Sequence, residues 1–224
     1  MLHELTRNNS QWENCNQERT VGNDVKLKCF YTNANSVVGK MSELKLRAQG
    51  FDIIGVVETW ATADINDAEL AIEGYNMFRV DRSGRKGGGL IMYIDDKLKS
   101  SVCADMMKSK FEESLWCTIE AEDGKFLIGL CYRSPSSDAS NDECLLKLLR
   151  KTANTRGILH FMIMGDFNFP DIDYEHGIVG TSTNTAAAKF FDEIQDLFFC
   201  TACACSYSTP RGPATIDTRL CLHR

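Results

Sequence analysis

Polar side chains follow several apolar runs of the sequence, and together they could form a reaction centre. Each is a carboxylate, an amide, a phenol or a guanidinium at the point where a predicted strand ends. These residues are Asn33, Glu58, Tyr132, Arg133, Asp166 and Asn168. Catalytic and ligand groups commonly cluster at one edge of a sheet, because the core holds the strand ends rigidly. Carboxylates suit proton transfer, and carboxylate and amide oxygens suit the binding of a hard cation.

Each of these residues also has an ordinary structural interpretation. A glutamate such as Glu58 after a strand is usually a solvated turn residue, and Asn33 could stabilise a turn or cap the next element. Tyr132 could be a half-buried packing residue, and residues 166–168 could form a simple turn closed by the aspartate side chain. The prediction of a site therefore depends on their joint occurrence.

Hydrophobic periodicity predicts the elements that would position these side chains. Alternation over residues 25–29 indicates a strand with one covered face, and the apolar stretch at residues 51–59 indicates a strand covered on both faces. The Asp123-Gly124 pair predicts a hairpin between two strands. Further strands are predicted at residues 75–80, 90–94, 114–121, 126–133 and 160–167, and helices near residues 40–49, 141–152 and 185–199.

Many strands mixed with a few helices predict a particular fold class. An internal hairpin argues against a purely parallel, doubly wound sheet, and a two-sheet α/β sandwich with outer helices fits better. Residues 1–24 carry no sustained period and are predicted to be a polar N-terminal arm. No linker rich in Gly, Ser or Pro divides the rest, so residues 25–224 are expected to form one domain.

Composition does not identify the function, but it argues against one class of protein. The chain of 224 residues is 43% hydrophobic and 25% charged, which is ordinary for a globular protein. Its formal net charge of −6 argues against a broadly basic surface that coats nucleic acid. A metalloenzyme remains compatible with that charge, because its ligands are acidic and the cation supplies positive charge.

The cysteines and the termini indicate the compartment. Ten cysteines are too sparse for a small disulfide scaffold, and several lie inside apolar runs as small buried hydrophobes. Cys200, Cys203 and Cys205 lack an evident fourth zinc ligand, although Cys221 or His223 could be proposed, so a strand or loop is the favoured interpretation. The polar N-terminus lacks the apolar core of a signal peptide, and no apolar run reaches the roughly 20 residues of a membrane span. The sequence therefore predicts an intracellular protein with reduced thiols and no membrane partner.

Four segments, in order along the chain, resemble motifs of the endonuclease/exonuclease/phosphatase superfamily. The resemblance is closest to the endonuclease domain of non-LTR retrotransposons and runs from about Val25 to the C-terminus. A loop at residues 82–89, rich in arginine and glycine and followed by an apolar strand, resembles that subgroup too. The four segments are Thr32-Asn33-Ala34-Asn35-Ser36, Val57-Glu58-Thr59-Trp60, Cys131-Tyr132-Arg133-Ser134-Pro135 and Met164-Gly165-Asp166-Phe167-Asn168.

The resemblance implies a deoxyribonuclease-like fold and a magnesium-dependent, DNA-nicking hydrolase, with Mn²⁺ as a possible substitute. Glu58 would be the main ligand of the metal, with Asn33 beside it. The nearby Asn35 and Arg133 would contact the substrate. The expected partners are DNA and a reverse transcriptase domain fused downstream. A DNA-nicking role would also imply access to the nucleus.

The resemblance assigns the chemistry to the remaining motif residues. Asp166 would orient and deprotonate the attacking water, and Asn168 would fix that geometry. Tyr132 would donate its hydroxyl to a non-bridging phosphate oxygen. The reaction would be in-line attack of water on a phosphodiester, with metal and donors stabilising the developing charge.

The C-terminal segment departs from the superfamily pattern. Asp217 would orient a catalytic histidine from a final Ser-Asp-His motif, but the sequence contains no such motif. Of its four histidines, only His223 lies near enough in sequence to be considered as a replacement. These features predict that the domain is incomplete at its C-terminus, with the last strand or strands missing, and they place the nuclease activity in doubt.

Two other functions are compatible with the same motifs. The chain could be a non-catalytic nucleic-acid-binding or structural remnant of the fold, which the missing histidine and the acidic charge favour. It could also be a phosphatase or phosphodiesterase on a non-DNA substrate, because relatives acting on phosphoinositides, sphingomyelin or nucleotides share the core motifs. Gly87, Gly88 and Gly89 are interpreted as a flexible loop, and Arg82, Arg85 and Lys86 as a solvated loop or a phosphate contact.

Overall fold

The computed structural model describes residues 18–21, 25–84, 87–121, 124–174, 176–180, 185–197, 200–203 and 219–223. In this part of the chain, no helix is both long enough and apolar enough to pass through a membrane.

The first sheet has five strands in the spatial order β1-β2-β3-β5-β4. β2 and β3 run parallel, and the other neighbours are antiparallel. Its strands are β1 (Glu18–Val21), β2 (Val25–Asn33), β3 (Ile53–Val57), β4 (Tyr75–Val80) and β5 (Leu90–Asp95). Because β1 pairs with β2, part of the predicted polar N-terminal arm is in fact an edge strand of this sheet.

The second sheet has six strands in the spatial order β12-β13-β9-β8-β7-β6. β7 and β8 form the predicted hairpin, with Ala121 opposite Gly124, and β8 and β9 run parallel. β12 includes Cys200 and Cys203 within a strand, as favoured from the sequence, while Cys205 lies outside the described residues. The strands are β6 (Ser100–Val102), β7 (Ser114–Ala121), β8 (Gly124–Tyr132), β9 (Ile158–Asp166), a separate small pair β10 (Ile172–Asp173) and β11 (Ile178–Val179), then β12 (Cys200–Cys203) and β13 (Arg219–His223).

Helices cover the outer face of each sheet, and this confirms the predicted two-sheet sandwich. The helices are α1 (Met41–Arg47), α2 (Asp67–Leu70), α3 (Ala139–Ala153) and α4 (Ala186–Asp196). α1 and α2 pack on the first sheet, and α3 and α4 on the second. The short α2, which periodicity missed, is fixed by a capping box in which the side chains of Asn66 and Glu69 bond each other's backbone N–H groups.

The central core lies between the two sheets and determines where their strand ends meet. Val57 and Leu90 of the first sheet pack with Leu115, Leu130 and Met164 of the second. All five residues of β3 are buried, and they alternate between this core and the one under α1 and α2. That is the strand predicted to be covered on both faces.

Candidate active site

The parallel strands of the two sheets end beside one another. Asn33 lies opposite Val57 at the ends of β2 and β3, and Tyr132 lies opposite Asp166 at the ends of β8 and β9. Asn33 Nδ2 donates a long hydrogen bond of 3.5 Å to Asp166 Oδ2. The Tyr132 hydroxyl donates to the carboxylate of Glu58. Side chains from both sheets therefore meet at one edge of the sandwich.

Glu58 is the first residue after β3, and its backbone lies in the left-handed region with φ 54°. Its carbonyl accepts a hydrogen bond of 2.9 Å from Ser36 N. Its Oε2 accepts from Trp60 Nε1 at 2.5 Å and from Gly88 N at 2.8 Å. Non-glycine residues adopt this conformation only where the surroundings determine it. These bonds hold the carboxylate at the end of the strand.

Opposing effects act on the pKa of Glu58. Burial raises it, whereas hydrogen bonds from Tyr132, Gly88 and Trp60 and the positive charge of Arg82 lower it, and the net shift is downward. The carboxylate is therefore ionised near neutral pH, which is the form that binds a cation.

Tyr132 is the neutral donor of the site. It is 6% exposed, and burial followed by its hydrogen bond to Glu58 raises the pKa of its hydroxyl. The guanidinium carbon of Arg82 lies 5.7 Å from the centre of its ring. The phenol therefore keeps its proton and can donate it in a hydrogen bond.

Asp166 is the last residue of β9 and is 6% exposed. Its Oδ1 accepts a hydrogen bond of 3.1 Å from Asn168 N, while Oδ2 faces Asn33. The preceding Gly165 is required for this placement, because a Cβ there would lie 2.1 Å from the carbonyl oxygen of Cys131. Asn168 has φ 47°, and its Nδ2 donates to the Arg133 carbonyl at 2.7 Å.

Arg133 is 6% exposed, and its guanidinium is engaged by the protein. Nε and Nη2 donate to the two oxygens of Asp142 at 2.6 and 3.0 Å, and Nη1 donates to the Asn168 carbonyl at 3.0 Å. The guanidinium also stacks 4.0 Å from the Phe169 ring centre. This arrangement favours a role in positioning the Asp166–Asn168 turn over the predicted substrate contact.

Asn35 lies on the exposed rim of the site with φ 43°. Its N–H donates to Asn33 Oδ1 at 3.1 Å, and its carbonyl accepts from Lys40 Nζ at 3.0 Å. Substrate binding by Asn35 stays a prediction. The last predicted site residue, Asp217, lies outside the described residues, as do Arg85 and Lys86.

The loop predicted to be flexible is instead built into the site. Gly88 and Gly89 are buried, and their N–H groups donate at 2.8 Å to Glu58 Oε2 and Glu113 Oε1 respectively. Arg82 forms an ion pair with Glu113 beneath this loop. Sequence reasoning quoted Trp60 as a motif residue without a role, and it missed Glu113 and this role of Arg82, because nothing in their spacing distinguishes them from surface residues.

Comparison with known proteins shows which solved structures share this architecture. The sequence matches no protein-family model and no curated protein. The endonuclease domain of TRAS1, a telomere-specific non-LTR retrotransposon, superposes with a TM-score of 0.57 at 14% identity, over 87% of this chain and 83% of that one. An AP endonuclease from Archaeoglobus fulgidus gives a TM-score of 0.61 at 17% identity, with coverage of 88% and 86%.

This chain has the endonuclease/exonuclease/phosphatase fold. The same fold occurs in a mannosyl-6-phosphatase from Bacteroides thetaiotaomicron, which superposes with a TM-score of 0.56 at 12% identity over 88% of this chain and 85% of that one. The fold thus serves proteins with different substrates, and similarity at these identities does not decide the reaction.

In this chain, the oxygen groups at the strand ends suit the magnesium ion that the fold family implies. Mg²⁺ is usually bound by one or two carboxylates together with water. Glu58 and Asp166 supply carboxylates and Asn33 an amide oxygen, from elements that the core holds in place. Within the described residues, no group of three or more His, Cys, Asp or Glu side chains could hold a metal ion. Any ion bound at this edge would therefore take the rest of its ligands from water or substrate.

Proposed function

We propose that this chain hydrolyses phosphodiester bonds in DNA, as the magnesium-dependent endonuclease part of a retrotransposon protein. The observation that carries the proposal is the meeting of Glu58, Tyr132, Asn33 and Asp166, which come from four strand ends in two sheets and are joined by hydrogen bonds. A carboxylate can accept a proton from water, a protonated phenol can donate a hydrogen bond to a phosphate oxygen, and a second carboxylate can bind a cation, so these groups suit hydrolysis of a phosphodiester.

Each group has a distinct task in the proposed reaction. Asp166 would accept the proton of the attacking water, with its orientation fixed by Asn168 N and Asn33 Nδ2. Burial keeps the Tyr132 hydroxyl protonated, and its single O–H would turn from Glu58 to donate a hydrogen bond to a non-bridging phosphate oxygen. Glu58 and Asn33 would hold Mg²⁺, or Mn²⁺ in its place, which supplies positive charge against the developing negative charge.

DNA is the proposed substrate, and the retrotransposon is the proposed context. The TRAS1 endonuclease domain supports both, and so does the resemblance of the arginine- and glycine-rich segment at residues 82–89 to that subgroup. A reverse transcriptase domain fused downstream would use the nick, and the protein would then need access to the nucleus.

A second candidate is a DNA-binding domain without turnover. Its support is that the sequence lacks a Ser-Asp-His motif and that neither histidine of the second sheet, His160 or His223, lies level with Asp166. His160 lies six residues before Asp166 on β9, about 20 Å away along the strand. His223, considered from the sequence as a replacement, lies opposite Met162, so its backbone is about 13 Å from the level of Asp166 along the strand.

A plasmid assay separates the two candidates. Purified protein is incubated with supercoiled plasmid and Mg²⁺, next to Glu58→Gln and Asp166→Asn variants whose folding is checked by thermal unfolding. Open circles formed by the parent and lost in both variants would support the nuclease. DNA binding without nicking under any divalent cation would favour the binding domain, and cleavage of a simple aryl phosphate with intact plasmid would move the substrate to a phosphomonoester.

A further inference from the structure

A buried ion pair lies behind the candidate site, between Arg82 and Glu113. Arg82 Nη2 donates to Glu113 Oε2, and the two side chains are 12% and 5% exposed. Arg82 Nε is buried without a hydrogen-bond partner in the described structure, so Glu113 is the group that holds this guanidinium. A buried pair of this kind is a weak source of stability, and a specific positional role is a reasonable hypothesis for it.

The pair is joined to Glu58 through two consecutive backbone groups. Gly89 N donates to Glu113 Oε1 and Gly88 N donates to Glu58 Oε2, each at 2.8 Å. The same two glycines accept through their carbonyls from Trp60 N at 2.9 Å and from Thr59 N at 3.3 Å. Gly88 and Gly89, called the strap below, therefore connect the carboxylates of Glu58 and Glu113. A shift of Glu113 is expected to move the Gly88 N–H that holds Glu58.

The strap needs glycine because it lies directly against the ion pair. Gly88 and Gly89 have φ of 70° and 85°. A Cβ on Gly88 would approach Arg82 Nε and Glu113 Oε1 to 2.2 Å, and one on Gly89 would approach Thr59 Oγ1 to 2.5 Å. No side chain fits between the strap and the pair.

The pair also contacts the strand that carries Tyr132. Glu113 is the residue before β7, and its carbonyl accepts a hydrogen bond of 3.0 Å from Tyr132 N. The Arg82 guanidinium lies 5.7 Å from the ring centre of the same tyrosine. One ion pair therefore touches the supports of both Glu58 and Tyr132, which come from different sheets.

We infer that Arg82 and Glu113 are positioning residues that hold Glu58 and Tyr132 in their working arrangement. They act through the Gly88–Gly89 strap and the Tyr132 ring, and neither residue needs to touch substrate. The expected fall in kcat rests on the proposed function. The expected movement of Glu58 does not, because it can be measured in a protein that cleaves nothing.

The indole N–H of Trp60 reports directly on the position of Glu58. It donates to Glu58 Oε2 at 2.5 Å, so its proton resonance depends on where that carboxylate lies. The resonance is assigned by its loss in Trp60→Phe. Glu113→Gln keeps an oxygen for Gly89 N and removes the charge that holds Arg82, so the Trp60 resonance should shift.

Arg79 provides a matched control. It lies three residues before Arg82, in β4, and pairs with Asp81, with side chains 14% and 21% exposed. Its other bonds go to Asp67 and to the carbonyls of Ile65 and Thr62, which belong to the segment around α2. Arg79→Gln thus removes a comparable ion pair without altering the strap.

The expected result has two parts. Glu113→Gln and Arg82→Met shift the Trp60 resonance and lower kcat by roughly 10- to 100-fold with little change in the KM for DNA. Arg79→Gln changes neither, although its Tm falls. If Glu113→Gln does not fold, the double variant Arg82→Met/Glu113→Gln, which leaves no buried charge unpaired, takes its place.

The outcomes separate this inference from the proposed function. An unchanged Trp60 resonance in a folded variant, or an equal change in Arg79→Gln, overturns the positioning role. A shifted resonance in a protein whose parent cleaves nothing supports the positioning role and removes the proposed nuclease function. A fall in kcat without the resonance shift also overturns it, because Glu58 would then not have moved.

Discussion

The two halves of the candidate site are held in different ways. In the Glu58 half, the carboxylate follows the end of β3 on a backbone with φ 54°, and a glycine strap and an indole hold it. In the Asp166 half, the carboxylate belongs to β9 itself, and Arg133 holds the turn that follows. By the inference above, the first half depends on the Arg82–Glu113 ion pair behind the strap, whereas the second depends on Arg133, which bonds its turn directly. We therefore expect the two halves to respond differently to substitution.

The largest effect is expected on activity, from a substitution in the Asp166 half. Asp166→Asn removes the proposed proton acceptor and keeps the shape of the side chain, so the rate of plasmid nicking should fall by about 10²- to 10⁴-fold. Its Tm should stay close to that of the parent, because Asn can still accept from Asn168 N. Nicking at the parental rate by purified Asp166→Asn protein would exclude Asp166 as the base.

Arg133→Gln tests whether Arg133 holds the Asp166–Asn168 turn, and the measured quantity is the free energy of unfolding. The substitution leaves Asp142, whose side chain is 13% exposed, without its cation. Breaking a fully buried pair costs about 3–5 kcal/mol in the free energy of unfolding, so a loss of up to that size is expected. Denaturant unfolding measures it, with Lys147→Gln as the control, because the Lys147–Glu143 pair on the same helix is exposed. A loss below about 1 kcal/mol would mean that Arg133 is not a support and is available for the substrate contact predicted from the sequence.

Gly88→Ala tests the support of the Glu58 half. Its Cβ would collide with Arg82 and Glu113, which should cost about 1–3 kcal/mol in stability beyond the backbone strain. Gly84→Ala is the matched control, because its φ of 82° imposes the same strain while nothing lies within 4 Å of the new Cβ. Equal losses of stability in the two variants would show that the strap is not tightly packed.

The smallest expected effect is the contribution of Glu58 to the pH dependence of the free energy of unfolding at acid pH. Its pKa is lowered in the folded state from the ordinary 4.5, so ionised Glu58 stabilises the fold above that pH. This contribution is lost as the pH falls through the lowered folded value. Unfolding curves in EDTA should therefore depend less on pH between 3 and 6 in Glu58→Gln than in the parent. A parallel pH dependence in the two proteins would contradict the shift.

Local patterns in the sequence were sufficient for much of the fold. The helices at residues 139–153 and 186–196 were predicted from hydrophobic period, the strand at residues 53–57 from its continuous apolar stretch, and the hairpin before Gly124 from its turn residues. Period failed for the short α2, which its capping box defines, and for β1, whose pairing with β2 is a tertiary contact.

The sequence by itself also determined which polar groups stand at the strand ends, because a buried strand that stops at Asn33, Val57, Tyr132 or Asp166 must deliver the next polar side chain to its edge. Only the tertiary structure decided which of these groups contact one another and which already have partners within the protein. It joined Glu58 to Tyr132 across two sheets, and it buried Arg133 against Asp142. It also converted an apparently flexible glycine loop into a strap between Glu58 and Glu113. The physical reason is that such partners are 9 to 133 residues apart in sequence. Packing of the two sheets brings Asn33 to Asp166, and packing of α3 on the second sheet brings Asp142 to Arg133.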